Sequence, residues 1–208
     1  MPVDIHNPAN PSEVVGTFPT MLPEDVPAMM ANAHKAQREW ARIPQPERGK
    51  IVDAFLDALE TRIEDIATAI TREMGKIIGE SRGEVNKALG EGRATTRRAS
   101  APIGEVLPSQ KPGTVTYSTR RPRGVIVGIN PWNFPFSTPI RKTIPALVYG
   151  NAIVLKPSIS TPGAAFIMQE VADQTLPKGL FQIAYGSGSL GGVLTAAQGV
   201  NAISFTGS

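Results

Sequence analysis

The 208-residue chain contains no cysteine, which excludes disulfides, thiolate metal sites and any cysteine nucleophile supplied from within these residues. Histidine is nearly as scarce. His6 and His34 are too few for an imidazole cluster, so no metal site is expected. Aromatic residues make up only 6%, and neither arginine run (Arg93, Arg97 and Arg98, or Arg120, Arg121 and Arg123) has stacking platforms or a reading helix beside it, which sets nucleic-acid recognition aside. No stretch approaches the roughly 20 consecutive apolar residues of a membrane span. The opening MPVDIHNPANPS lacks both the basic start and the apolar centre of a secretory signal, so cytoplasmic residence with no membrane partner is expected.

What is present is a hydrophobic fraction of 41%, enough to build a core, and a mild net charge of +3. From Glu24 to about Ala99 the pattern is helical, clearest where Ile51, Phe55, Leu59, Ile63, Ile66 and Ile70 recur at steps of three and four. Pro46 suits a first turn and Gly75 with Lys76 a stop, which predicts one long amphipathic helix packed on something larger. Residues 5 to 18 and 104 to 121 read as extended, and Thr114 to Thr119 alternates as an exposed or subunit-bridging strand should.

From Gly124 onward, short β-rich runs alternate with helical ones, the pattern of a parallel sheet covered by helices. GVIVGI (124–129) is apolar on both faces, as a buried parallel strand requires. A helical stretch to Tyr149 follows, then the strand NAIVL (151–155) ending at Lys156. Thr161 with Pro162 predicts a helix start. FQIAY (181–185) is the third strand, Gly191 to Ala197 a short helix, and AISF (202–205) the fourth strand. The chain therefore divides into a helical region with extended segments (1–110), an extended strand of an arm (111–123), and a partial Rossmann-like domain (124–208). It stops at FTGS, in a loop where ligands bind in such sheets, which is the expectation for a truncated protein.

Ligands of open parallel sheets sit beyond the carboxyl ends of the strands, and here those ends read PWNFP, KPS, GSGS and FTGS. Gly186, Gly188 and Gly191 satisfy the dinucleotide spacing G-x-G-x-x-G, in a strand-to-helix turn that calls for positive φ. The acidic residue expected about 20 positions later is missing. FTGS lacks the G-K-[ST] of a phosphate loop. No tyrosine is followed four residues later by lysine, since Tyr149 is followed by Ile153, which argues against a short-chain dehydrogenase. In this order and at these intervals, the four strand ends resemble the aldehyde dehydrogenase superfamily over essentially the whole chain. The implied fold is α/β and aldehyde dehydrogenase-like, a Rossmann-type parallel sheet with helices that stops short of the catalytic domain.

The resemblance implies roles for individual residues. In PWNFP, prolines on both sides hold the amide of Asn133 in one direction, and the family uses this asparagine as an oxyanion-hole donor. The residues alone also fit an asparagine in a turn. The family runs Ile129, Pro131 and Trp132 along the cofactor, NAD or NADP. Lys156 is placed on the adenosine ribose, Gly188 and Gly192 near the adenosine side, and Phe205, Gly207 and Ser208 near the pyrophosphate. Many NAD-specific relatives have glutamate three residues after the lysine; Ile159 stands there instead, which admits NADP, with Ser158 and Ser160 available to its 2′-phosphate. Arg141 and Lys142 resemble the pair found in semialdehyde dehydrogenases, where the arginine can grip the substrate's distal carboxylate, although a helix-surface or subunit contact fits Arg141 as well.

The family's nucleophilic cysteine and general-base glutamate fall downstream of FTGS. A small-molecule aldehyde is the implied substrate and a homo-oligomer the implied full-length state, with the isolated chain inactive. A non-catalytic cofactor-binding or oligomerising module is the alternative.

Overall fold

The computed structural model describes residues 2–207. Two antiparallel strands, β1 (Val3–Asn7) and β2 (Asn10–Phe18), open the chain as a separate ribbon. Four helices follow: α1 (Val26–Trp40), α2 (Gln45–Glu60), α3 (Ile63–Met74) and α4 (Ile78–Thr96). A short antiparallel pair, β3 (Val106–Leu107) with β4 (Thr116–Tyr117), projects as an exposed arm. The rest alternates strand and helix: β5 (Val125–Ile129), α5 (Ser137–Val148), β6 (Ala152–Lys156), α6 (Gly163–Thr175), β7 (Phe181–Ile183), α7 (Gly188–Ala196) and β8 (Ala202–Phe205). The last four strands form one parallel sheet in the order β7-β6-β5-β8.

The single long helix expected from the isoleucine stripe is two helices. Thr61 ends α2 with its hydroxyl donating to the Ala58 carbonyl at 2.7 Å, and the Arg62 amide donates to Leu59 at 3.0 Å in a tightened turn. A threonine hydroxyl that bonds the preceding turn competes with helix propagation. The apolar spacing runs across the break because Phe55, Leu59, Ile66 and Ile70 are all fully buried in one core shared by helices and sheet. Gly75 does terminate α3, with φ of 80°. The strand expected over 114–119 is regular only at Thr116 and Tyr117, although the Ser118 and Arg120 amides extend its ladder to the Glu105 and Ile103 carbonyls.

Alternate residues of β5 mark the two faces of the sheet. Gly128 lies against the Lys142 stem of α5, whereas Ile129 faces Gly191 of α7. β6 is buried at every residue, as a central parallel strand must be. The entry into β5 is fixed by two asparagines: the Asn151 side-chain oxygen accepts from the Arg123 and Gly124 amides, and that of Asn201 from Val125. Trp40 closes the helical layer onto the sheet layer by donating to the Leu147 carbonyl at 2.7 Å. Among the described residues no helix is long and apolar enough to cross a membrane.

Candidate active and cofactor site

Because β5, β6, β7 and β8 are parallel, their carboxyl ends open on one edge of the sheet, and the residues that follow them meet there. At the end of β6, Lys156 is 5% exposed, and its ammonium donates to the carbonyl of Pro157 at 3.2 Å. Burial holds its pKa below the usual lysine range. α7 crosses directly above it. A methyl group added at Gly191 would stand 3.7 Å from Lys156 Cδ and 3.8 Å from Ile129 Cδ1, in ordinary contact with both strand ends. The first turn of α7 is bare: added methyl groups at Gly188 and Gly192 would meet nothing within 4 Å.

The glycines of GSGSLGG are not there for positive φ, contrary to the expectation from their spacing, since the left-handed glycines are Gly75, Gly113, Gly124, Gly150, Gly179 and Gly199. Among them only Gly186 lacks room for a side chain. A side chain at Gly186 would strike Leu190 at 2.5 Å, whereas those at Gly188 and Gly192 would meet open space. α7 also starts three residues earlier than the sequence suggested, at Gly188 after an extended Ser187.

Beside this helix a cavity of about 260 Å³ is lined by Ile159, Gly186, Ser187, Ser189 and Leu190, among others. Ile159 therefore faces the same space as the glycine turn. Ser158 is used locally, its hydroxyl accepting from the Ser160 amide at 3.2 Å. Asn130, directly after β5, is 5% exposed, yet its carboxamide has no partner among the described residues. A lysine with only a backbone carbonyl, an orphaned carboxamide and an uncovered helix N-terminus suit a polar, anionic ligand such as a dinucleotide.

Residues 131–136 lead from β5 into α5. Asn133 is exposed, as is Trp132 at 56%. The Asn133 carbonyl accepts from Lys76 Nζ at 3.1 Å, and the Lys76 ammonium stands 4.4 Å from the centre of the Phe134 ring. Lys76 pairs in turn with Glu84 at 2.6 Å. The second Glu84 oxygen accepts from the Phe136 and Ser137 amides, both at 3.1 Å, capping α5. The start of α6 is held similarly: Thr161, expected to cap it, is turned toward the Trp132 carbonyl at 3.5 Å, and Glu73 of α3 accepts from the Gly163 amide instead.

On the far side of α5, the Arg141 fork grips Glu91 through two bonds, at 2.6 and 2.9 Å, and the hydrogen bond to Glu91 raises the arginine's pKa. Lys142 reaches the end of β8, donating to Ser204 at 3.0 Å and Thr206 at 2.8 Å. Phe205 pairs in register with Ile129 and is 60% exposed, with Gly207 just beyond it; Ser208 lies outside the described residues. The edge thus gathers Ile129, Lys156, Gly188, Gly192 and Phe205. The sequence does not single out Lys76, Glu73, Glu84 or Asn130 as site residues, because their significance lies in partners 52 or more positions away or, for Asn130, in burial.

The model of the aldehyde dehydrogenase family matches residues 1–208. An alpha-ketoglutaric semialdehyde dehydrogenase of Bacillus subtilis is 38% identical over 208 residues, covering 99% of this chain and 43% of the relative. A benzaldehyde dehydrogenase [NAD(+)] of Pseudomonas putida is 36% identical, covering 99% of this chain and 42% of its own length. Among solved structures, an Escherichia coli NADP dependent enzyme superposes with a TM-score of 0.93 at 30% identity, over 98% of this chain and 42% of that one. The chain thus spans less than half the length of the relatives it matches. Over its whole described length it has their α/β architecture, with the parallel sheet and the loops at its carboxyl edge, and it belongs to the aldehyde dehydrogenase family.

Proposed function

We propose that these residues form the cofactor-binding and oxyanion-stabilising part of an NAD(P)-dependent aldehyde dehydrogenase that oxidises a semialdehyde to a carboxylic acid. The observation that carries this reading is the carboxyl edge of the sheet, where the exposed Asn133 follows β5 and the buried Lys156 ends β6 beneath the bare first turn of α7. Lys156, Ile129 and the glycine turn would hold the adenosine side of the dinucleotide, Pro131 and Trp132 would line its path, and Phe205 and Gly207 would lie near its pyrophosphate. When bound, NAD or NADP supplies a hydride acceptor. The chain's own contribution to the chemistry is Asn133, whose carboxamide donates to the oxygen that becomes negative as the aldehyde carbon is attacked. With no thiol among the 208 residues, the chain alone turns over no aldehyde by the thiohemiacetal route. Residues 111–123 form part of an oligomerisation arm, in keeping with the exposure of Val115 at 77% and Tyr117 at 70%.

Arg141 supports a carboxylate-bearing substrate, such as succinic or 2-oxoglutaric semialdehyde, by its planar fork; gripping that carboxylate requires release of Glu91. The test uses the protein expressed from the complete reading frame, assayed with succinic semialdehyde and a neutral aldehyde of similar length. Arg141→Ala should cost about 2 kcal/mol of transition-state stabilisation with the acid substrate only. Equal losses on both aldehydes would make Arg141 a tether for Glu91 and remove the semialdehyde assignment.

A further inference from the structure

We propose that Lys76 and Glu84 are positioning residues for Asn133, a buried ion pair that fixes the oxyanion loop from both ends. The proposal rests on the reading of Asn133 as the oxyanion donor. The Lys76 side chain is 11% exposed and that of Glu84 2%. Their contacts divide the loop between them. Lys76 holds the Asn133 carbonyl and lies over the Phe134 ring, while Glu84 holds the Phe136 and Ser137 amides. Pro135 sits in the middle and restricts Phe134 by itself. The ammonium on the Asn133 carbonyl fixes the orientation of the peptide between Asn133 and Phe134.

The base of this brace is itself rigid. Lys76 follows the left-handed Gly75, whose amide donates to Thr71, and Thr71 and Ser81 join α3 to α4 through their hydroxyls at 2.9 Å. A buried ion pair is poor evidence for stability, because desolvation offsets much of its attraction. Its geometric effect is large. A donor to a developing oxyanion has to be held within about 0.5 Å, and a misplacement of about 1 Å costs about a hundredfold in rate. With the carbonyl of residue 133 drawn inward to Lys76, the exposed side chain of the same residue is aimed by the brace.

The test is a double-mutant cycle on kcat in the protein from the complete reading frame, with amide exchange of the 208-residue chain as a second readout. Lys76→Met should lower kcat about tenfold or more when Asn133 is present, but less than about twofold in an Asn133→Ala background, because there is then no donor to position. KM for the cofactor should change less than about twofold, and Lys76→Arg should recover part of kcat. In the isolated chain, Glu84→Ala should speed exchange at Phe136 and Ser137 about tenfold or more, a result independent of any activity. Should Lys76→Met fail to fold, Lys76→Gln carries the same cycle. Equal losses from the Lys76 substitution in both backgrounds, or unchanged exchange in Glu84→Ala, would overturn the proposal alone. An unchanged kcat in Asn133→Ala would remove the oxyanion reading and the proposal together.

Discussion

Ile159 lines the cavity beside the α7 glycine turn, so a carboxylate placed there would meet whatever occupies that space. If that space takes the adenosine ribose, as proposed, an added acid would face and repel the 2′-phosphate of NADP, and would accept a hydrogen bond from the hydroxyl of NAD. Ile159→Glu in the complete protein should therefore lower the ratio of NADP to NAD catalytic efficiencies about tenfold, equivalent to about 1.4 kcal/mol. An unchanged ratio in steady-state kinetics would show that residue 159 does not face the adenosine ribose. Its nearness to the glycine turn was legible from sequence, because it lies three residues after Lys156, at the end of a strand with a strong pattern. Lys76, Glu73 and Glu84 were not. Each reads as an ordinary charge on an amphipathic helix or its end, and only tertiary packing sets Glu84 against an amide 52 positions away and Glu73 against one 90 positions away.

At the scale of elements, α6 begins on a buried acid. Burial pushes the Glu73 carboxyl up to about 7, with the hydrogen bond from the Gly163 amide pulling it part of the way down. The native state therefore keeps a proton that the unfolded chain, at the ordinary 4.5, has released. Stability from this group is fully present below about 4.5 and is lost as the pH rises through about 7, after which it is flat. Its ceiling is about 3 kcal/mol, since each tenfold change in proton affinity is worth about 1.4 kcal/mol. Glu73→Gln keeps an oxygen for Gly163 but cannot ionise. In urea melts the fall in stability between about pH 5 and about pH 8 should shrink by up to about 3 kcal/mol in this variant. An identical fall in both proteins would place the titration elsewhere. The same scale shows where periodicity misleads: α2 and α3 share one apolar stripe, and Thr61 and Arg62 break the helix without breaking the spacing, since both halves pack on the same core. Boundaries of β5 and β6 were clearer, because glycine, proline or asparagine bounds each run and both are apolar on both faces, whereas the strand expected over 181–185 ends at Ile183.

For the whole molecule, the helices of the first half and the sheet of the second share a single continuous core, and the carboxyl edge of that sheet is where the recognised motifs meet. Apolar surface remains outside it. β8 is an edge strand with Ile203 and Phe205 exposed at 49% and 60%, and the arm presents Val106 at 79% and Tyr117 at 70%. The family, the fold and the order of the strand-end motifs were all readable from the sequence, whereas the close approach of Leu190 to Gly186 is set by packing. On the proposed function, Asn133 serves aldehyde oxidation with a thiol that these 208 residues do not supply. The most direct measurement is the rate of NADH or NADPH formation, with one aldehyde, by the 208-residue chain, by the protein from the complete reading frame, and by its Asn133→Ala variant. The expected result is no turnover by the chain alone, turnover by the complete protein, and a kcat about 10² to 10³ lower in Asn133→Ala. Turnover by the cysteine-free chain, or an undiminished kcat in the Asn133→Ala protein, would contradict it.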